Sequence, residues 1–437
     1  MKRRLFLLLF FLSLFIFNRS WGDSNNNCSA NWRELDWKLA PFIDLNARYF
    51  SFPFKIPKGQ RIQFKVEGSF PYARYFSFHT YDQETENAIS HLTDYAISPD
   101  SQSVNPFQIG VDRYSSNRKF SVWITPSQEA STTEQKLIIP FDDARDRSAD
   151  IWVRVYASET KKIELPQIYA FDDSMNPIPC PKIVNKEWSI ATTAGPYGLR
   201  IPSQEHQGRA PLPFKNGDVH FFRPSTDSLG ANLDNLYLFS RLDGKALFRP
   251  LTIKGRRERR ILKKNNAILN IGNITAFSFE VPSFPDTKSQ LQYFSGEEDV
   301  RYWSICLSGP DTYTSACMMD SQVRTFEARD GKRYAIFVIG PNEPQLKLKV
   351  TKLGYNYLDH SEHRVPLIFY RQMLPRPDFD GRVDVVKPIP PSESQNHNVL
   401  WNFFAESYIG KYSPLGRQCW LESGFLQSFC GLKKNLR

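Results

Sequence analysis

The sequence lacks the short motifs by which many enzymes can be recognised. It contains no G-x-S-x-G nucleophile elbow, no H-E-x-x-H zinc motif, no phosphate-binding glycine loop and no dinucleotide-binding fingerprint. It also has no C-x-x-C pair and no group of cysteine and histidine at metal-ligand spacing, so we expect neither a metal nor another cofactor. These absences favour a protein that is not an enzyme.

Long apolar runs are confined to the N-terminus. A basic start, Lys2–Arg4, precedes an apolar run over Leu5–Phe17, and small residues before Asp23 fit a cleavage site. As a helix this run would be about 20 Å long, which is less than the roughly 30 Å hydrocarbon core of a bilayer. Residues 1–22 are therefore predicted to be a signal peptide that exports the protein to the periplasm or out of the cell.

Cysteine is scarce, and all six cysteines lie in the predicted mature chain. Export would place them in an oxidising compartment, where disulfides form. Six cysteines allow fifteen pairings. Spacing favours Cys306–Cys317 across one hairpin and Cys419–Cys430 in the C-terminal tail, which leaves Cys28–Cys180 to join the two ends of the first half.

Positive charge is not concentrated strongly enough to indicate a nucleic-acid-binding protein. Removing the predicted signal peptide lowers the formal charge from +10 to +6, a mild bias for a chain of this length. One dense basic run is expected to be a solvated loop or hairpin edge, or else to contact an anionic surface such as lipid or polysaccharide. Its cations include Lys254, Arg256, Arg257, Arg259 and Arg260.

Prolines and aromatic residues are abundant and indicate a mainly β protein. The chain has 30 prolines and 14% aromatic residues, and few of its segments show the helical period. Two predicted strands, Tyr49–Lys55 and Arg61–Val66, form a hairpin around a proline-glycine turn. In the next predicted strand, Ala73–Asp82, alternation separates two phenylalanines from a polar face. That face carries Tyr75, Ser77, His79 and Tyr81.

One strand pattern occurs twice, which predicts an internal duplication. The segment Arg74–Phe78 is matched in the second half of the chain by Arg301–Ile305, and each copy is followed by a second similar strand that ends before a proline. Two tandem antiparallel β-sandwich or jelly-roll-like units explain this repeat. They are predicted over residues 23–184 and 218–375, with an irregular connection over residues 185–217.

The C-terminal region, residues 376–437, leaves the β pattern. A proline-rich segment leads to Val399–Tyr408, whose apolar residues have helical spacing and which Gly410 is expected to end. Just before this region, Leu346–Leu353 and Val365–Tyr370 are predicted to be strands. The fold class is therefore two β-sandwich units followed by a short helical region, with a tail that a disulfide pins.

Candidate titratable site residues are few. His79 shares a strand face with hydroxyl groups, including that of Tyr81, which would suit a base, although alternation in a strand gives the same pattern without any function. His360 and His363 could bind a metal together with a third ligand, but their surroundings favour exposed histidines in a loop. Three aspartates around Gly381 are interpreted as an acidic turn, because their spacing does not fit a calcium loop.

Arg74 and Arg301 open the two matched strands on largely apolar faces. An unpaired guanidinium is costly in such a place. Each is therefore predicted either to form a structural ion pair, for instance with Asp82 or Asp320, or to bind an anion at the mouth of its sandwich.

Several segments resemble a family of exported bacterial proteins of unknown function. The resemblance is scattered over most of the mature chain and is strongest at Arg301–Cys306. It also involves Phe70–Tyr75, Tyr81–Asp82, Asn105–Phe107, Cys317–Val323 and Tyr370–Pro375. Because that family has no assigned activity, the resemblance implies no functional residue. The strand Arg74–Asp82 also resembles a jelly-roll domain of unknown function from bacterial envelope proteins, which supports the fold class alone.

These observations predict an exported binding or envelope-associated protein. Its partner would be a glycan, a lipid headgroup or a protein or other surface component, held in a cleft between the halves and by exposed aromatic residues. The candidate ligand-binding residues are Arg74, His79, Tyr81 and Arg301. A secreted hydrolase with a non-linear active site is the alternative function, and a cavity joining His79 or His220 to a carboxylate would favour it. A dry, flat interface between the halves with no pocket would instead indicate a purely structural role.

Overall fold

The computed structural model describes residues 26–36, 42–84, 87–127, 137–184, 218–223, 235–241, 274–308, 314–360, 367–390 and 399–419. These residues form two β-sandwich units, unit 1 before residue 185 and unit 2 from residue 218 onward. Each unit has its own apolar core between two sheets. The predicted fold class is confirmed.

Unit 1 packs a five-stranded sheet on a four-stranded sheet. Its strands are β1 (Arg33–Glu34), β2 (Ala47–Ile56), β3 (Gln63–Ser69), β4 (Tyr75–Asp82), β5 (Asn87–Thr93), β6 (Lys119–Ser127), β7 (Leu137–Pro140), β8 (Arg147–Tyr156) and β9 (Gln167–Phe171). The sheet that faces unit 2, inner sheet 1, has the order β1-β2-β8-β4-β5, and outer sheet 1 has the order β7-β6-β3-β9. Neighbouring strands are antiparallel except β6 and β7.

Alternation of side chains along β4 builds both faces of inner sheet 1. Phe76 and Phe78 are buried in the core of unit 1, whereas Tyr75 and Tyr81 belong to a second buried cluster on the opposite face. The two faces predicted from the sequence are therefore confirmed. Each phenylalanine removed from water in this way contributes about 1.5–3 kcal/mol to stability.

Unit 2 repeats this architecture. Its strands are β10 (Asp218–Val219), β11 (Asn235–Arg241), β12 (Ile274–Glu280), β13 (Val300–Ser308), β14 (Thr314–Met319), β15 (Phe326–Glu327), β16 (Arg333–Gly340), β17 (Asn356–Asp359), β18 (Leu367–Pro375) and β19 (Leu415–Cys419). Inner sheet 2 has the order β11-β18-β13-β14, and outer sheet 2 has the order β10-β19-β12-β16, with β15 and β17 both pairing with β16. Strand β19, the last one described, is thus an interior strand of outer sheet 2, with β10 on one side and β12 on the other.

The stretch predicted as a strand over Leu346–Leu353 is instead a helix, α1 (Pro344–Lys352), so that prediction is wrong. The Glu343 carboxylate accepts a backbone N–H at the start of α1, and proline occupies the first helical position. Leu346 and Val350, one turn apart, are buried, while Leu348 between them is 54% exposed. Leucine or valine at every second position also fits a strand, so the apolar pattern alone could not distinguish the two.

The C-terminal helical region is short and broken. The segment predicted as one helix comprises a 3₁₀ turn, Leu400–Phe403, and α2 (Glu406–Ile409). Gly410 has a φ of 53° and ends α2, as predicted. Within the described part of the chain, no helix is long and apolar enough to cross a membrane.

Two disulfides match the pairs that spacing favoured. Cys28 is bonded to Cys180 and Cys306 to Cys317. Several other predictions fall outside the described residues: the signal peptide, the connection over residues 185–217, the basic run and the disulfide partner Cys430.

Candidate functional site

The inner sheets of the two units face each other, and the sequence candidates lie at or near this interface. Tyr75 and Tyr156 of unit 1 form one buried cluster with Tyr302 and Met373 of unit 2. The ring centroids of Tyr156 and Tyr302 are 5.2 Å apart. Packed side chains therefore occupy this part of the interface, where the sequence predicted a ligand cleft.

Arg74 crosses the interface. Its guanidinium is fully buried, pairs with Asp320 of unit 2 and lies 3.8 Å from Asp286. Burial raises the pKa of Asp320, and the charge of Arg74 opposes that rise. Of the ion-pair partners considered for Arg74, Asp320 is the one found, since Asp82 pairs with Arg147.

Arg301 crosses the interface in the opposite direction. It approaches Asp94 of unit 1 at 3.8 Å and donates to the carbonyl of Phe107 at 3.2 Å. Its guanidinium also lies 3.9 Å from the ring centre of Phe294. Burial lowers the pKa of Arg301, whereas Asp94 raises it.

Each of these two aspartates also accepts a backbone hydrogen bond from the strand that contains the residue two positions after the arginine of its own unit. Asp94 accepts the backbone N–H of Phe76 at 2.9 Å, and Asp320 accepts that of Trp303 at 3.1 Å. Phe76 and Trp303 occupy the same place in the two sequence repeats. The two arginine–aspartate contacts are thus reciprocal, as they would be across a twofold axis.

A short arm, residues 42–46, leaves unit 1 and packs on inner sheet 2. Asp44 of the arm accepts hydrogen bonds from the hydroxyls of Tyr302 at 2.7 Å and Ser304 at 2.6 Å, and it lies 3.6 Å from Arg371. The arm also brings a phenylalanine into an apolar cluster of unit 2. Unit 1 therefore supplies the carboxylate that neutralises a buried arginine of unit 2.

Inner sheet 1 carries a buried polar cluster around His79. The Nε2 atom of His79 lies 3.0 Å from the Ser77 hydroxyl, and its ring stacks near those of Tyr81 and His91. Burial holds the pKa of His79 well below its usual value, and the charge of Arg154 lowers it further. The His79 imidazole is therefore neutral at pH 7.

Asp150 is the acid of this cluster, although it was not among the candidate residues predicted from the sequence. Both of its carboxylate oxygens accept from the Ser51 hydroxyl, at 2.7 and 2.8 Å. Burial raises the pKa of Asp150 to about 7, and the hydrogen bond from Ser51 opposes that rise. Asp150 lies opposite Tyr81 across β4 and β8, a pairing between distant residues that no local pattern in the sequence shows.

Strand pairing matches this cluster to positions in unit 2. His79 faces His91 across β4 and β5 in the way that Cys306 faces Cys317 across β13 and β14. Leu367 of β18 faces Ser308 of β13 as Asp150 of β8 faces Tyr81 of β4, so Leu367 occupies the position of the acid. Unit 2 thus has a disulfide and an apolar side chain where unit 1 has titratable groups, so the two units differ at these positions.

Outer sheet 1 carries exposed and half-buried aromatic side chains on the side away from the core, a surface termed the aromatic face. Trp123 is 37% exposed and its ring centre lies 5.5 Å from that of Phe171. Tyr169 lies level with Trp123 across the sheet, with Lys65 between them. Two strand spacings separate Trp123 and Tyr169 by about 10 Å. The polar side chains of this face include Gln63, Glu67 and Gln167.

Outer sheet 2 is covered at the corresponding place. Strand β16 corresponds to β6, because each runs parallel to one neighbour in its outer sheet. Its outward residue Val338 packs with Leu346 and Val350 of α1. The aromatic face was not predicted from the sequence, although alternation along β6 places Trp123 on the side opposite the core residues Val122 and Ile124.

A cleft of about 360 Å³ opens beside the arm and belongs to unit 1. Its walls include Glu34, Asp36, Leu45 and Arg48. Because Glu34 and Arg48 pair with each other at 2.7 Å, these two charges are already matched.

His220 does contact a carboxylate. Its Nδ1 atom is hydrogen-bonded to Glu406 of α2, and its ring stacks on Phe404 with centroids 3.9 Å apart. His220 and Glu406 are 186 residues apart in sequence. No linear motif could therefore reveal their contact.

The remaining candidates from the sequence are His360, His363 and the acidic turn around Gly381. His360 is 1% exposed, so the prediction that it is exposed is wrong. Its backbone N–H donates a hydrogen bond to the carbonyl of Gly340, the last residue of β16, which places His360 beside outer sheet 2. His363 lies outside the described residues. Among the residues that the structure does describe, the one group of three potential metal ligands contains the disulfide-bonded Cys306 and Cys317. The acidic turn is neutralised locally, since Asp378 and Asp384 pair with Arg376 and Arg382.

No family model matches the chain, and no curated protein does. Among solved structures, an uncharacterised protein from Burkholderia cenocepacia is similar with a TM-score of 0.42 and 12% identity, over 79% of this chain and 78% of that one. A protein from Vibrio parahaemolyticus is similar with a TM-score of 0.34 and 9% identity, over 76% of this chain and 85% of that one. Both scores lie below 0.5, and neither likeness carries a functional argument.

Proposed function

We propose that this chain is an exported binding protein that takes a glycan on the aromatic face of unit 1. The observation that carries the proposal is a group of outward-facing rings, in which the exposed Trp123 stands beside the half-buried Phe171 and level with the half-buried Tyr169. Rigid aromatic rings offer a large apolar contact at little entropic cost, and they suit the flat C–H faces of sugar rings. The two disulfides support export, because such bonds persist in oxidising compartments.

Polar groups among the rings supply the hydrogen bonds that a sugar requires. Lys65 and Glu67 pair at 2.5 Å, so their charges offset each other within the face. Gln63 and Gln167 add amide groups, which both donate to and accept from hydroxyls. A surface of this kind favours a neutral, hydroxyl-rich ligand over an anionic lipid headgroup.

The glycan proposal is tested by affinity electrophoresis of the mature protein in gels that contain xylan, laminarin, dextran or lipopolysaccharide. Retardation by at least one polysaccharide is expected. Trp123→Ala should raise the Kd for that polysaccharide at least about tenfold, because a central aromatic anchor contributes more than about 1 kcal/mol.

Trp401→Ala is the matched control, since Trp401 is a 62% exposed tryptophan of unit 2. It should leave the retardation unchanged. Equal retardation of the wild type and the Trp123 variant, or retention on anionic vesicles but by none of the polysaccharides, would overturn the proposal.

A hydrolase is the second candidate, and the contact between His220 and Glu406 is the observation that favours it. A carboxylate can orient a histidine for general acid–base chemistry. The candidate predicts turnover of short acyl esters or glycosides that His220→Ala abolishes while the urea unfolding midpoint stays near that of the wild type. Absence of turnover by the wild type removes this candidate.

A further inference from the structure

Two of the contacts between the units form a matched pair. Arg74 of unit 1 reaches Asp320 of unit 2, and Arg301 of unit 2 reaches Asp94 of unit 1. The two arginines occupy the same position in the sequence repeat, and each aspartate follows the arginine of its own unit at nearly the same spacing. Each surface therefore offers both a guanidinium and its receptor, which is the arrangement of an isologous interface.

We propose that the two units recognise each other through a self-complementary surface, which fits a second copy of the same kind of unit. In this chain the second copy is the other half. The surface itself, rather than the chain that connects the halves, holds the units together.

The location of the covalent links supports this inference. The two disulfides of the described residues each lie within one unit, Cys28–Cys180 in unit 1 and Cys306–Cys317 in unit 2. Beyond the continuous backbone, the described contacts between the units are thus non-covalent.

Burial at this surface favours a permanent association of the units. Tyr75, Tyr156 and Tyr302 are 0% exposed, and so is Arg74. Separating the units would expose these side chains to water, and the arm would also withdraw Asp44 from Arg371. Interfaces whose centre is aromatic and fully desolvated are the ones that stay associated.

The test is to cut the connection in the folded protein. A specific protease site is inserted after residue 200, the purified chain is cleaved, and its mass is measured by size exclusion with light scattering at micromolar concentration. The halves should elute together at the mass of the intact chain, while denaturing gels show two fragments. Elution as two separate species would overturn the proposal.

A second variant shows whether the reciprocal pairs are responsible. Arg74→Ala with Arg301→Ala, in the cleavable background, should raise the Kd between the halves at least about 100-fold, after circular dichroism of the uncut chain confirms that it folds. The matched control is Arg48→Ala, which breaks a salt bridge inside unit 1 and should leave the complex intact. A double variant whose cut halves hold together as tightly as those of the wild type would refute the role of these pairs.

Discussion

Two buried arginines of this protein have their carboxylate partners in the opposite unit. Arg74 and Arg371 are both almost completely buried, and each finds its carboxylate in the other unit, at Asp320 and Asp44 respectively. From the sequence, an arginine on an apolar face could only be assigned a partner of some kind. The identity of that partner depends on contacts between residues that lie far apart in the chain, which local patterns do not encode.

Arg74→Ala is predicted to destabilise the protein by about 3–5 kcal/mol, because it leaves the buried Asp320 carboxylate without its cation. The free energy of unfolding in urea measures this effect. Arg48→Ala breaks an exposed pair with Glu34 and should cost no more than about 1 kcal/mol. Equal losses in the two variants would contradict the assignment.

Asp150 is predicted to make stability fall as the pH rises. Its pKa is about 7 in the fold against 3.8 for an ordinary aspartate, so the folded state binds the proton more tightly. The resulting stabilisation is complete below about pH 4 and is lost progressively up to about pH 7. Asp150→Asn keeps a neutral acceptor for Ser51 and removes this dependence.

Urea unfolding at pH 4.5, 6 and 8 measures the contribution of Asp150. The difference in unfolding free energy between the wild type and Asp150→Asn should move in favour of the variant as the pH rises. A constant difference over this range would show that Asp150 does not titrate there.

At the scale of single elements, the sequence was most informative where apolar spacing had one meaning. Phenylalanines that alternate with other residues along β4 predicted a strand with two different faces, and the residues assigned to each face were confirmed. Leu346, Leu348 and Val350 satisfied a strand and a helix equally, and the capping by Glu343 decided for α1. The candidate site shows the same limit, since Trp123 was visible from alternation but nothing in the sequence showed that its surroundings stay open.

The arm is predicted to stabilise unit 2 although it belongs to unit 1. Asp44→Ala removes the acceptor of the Tyr302 and Ser304 hydroxyls and the counter-charge of Arg371. Hydrogen exchange followed by mass spectrometry should therefore show faster exchange in β13 and β18. The Leu45→Ala variant, in which a 41% exposed side chain of the same arm is truncated, should leave exchange in those strands nearly unchanged. Faster exchange confined to unit 1 would exclude this role of the arm.

For the whole molecule, the repeated strand pattern was enough to predict two similar sandwiches. It was not enough to predict how they meet, because the partners of the repeated arginines, Asp94 and Asp320, lie in turns outside the repeat, and Asp44 lies in the arm. The divergence of His79 and His91 from Cys306 and Cys317 likewise became visible once strand pairing had aligned the units.

The two disulfides are predicted to differ in their contribution to stability. Cys28–Cys180 closes a loop of 152 residues and Cys306–Cys317 one of 11. Loop-closure entropy therefore predicts losses of about 5 and about 3 kcal/mol when each pair is replaced by serines. Urea unfolding of the two double variants tests the order, and a larger loss for the short loop would contradict it.

If the aromatic face of unit 1 binds a glycan as proposed, the helix α1 that lies over outer sheet 2 limits the described part of the chain to one such face. With Val338 beneath Leu346 and Val350, the second unit cannot offer a counterpart of the aromatic face. A chain with one such face gains no avidity from its own duplication. It would coat a polysaccharide without cross-linking it, and its binding isotherm would show a single class of sites.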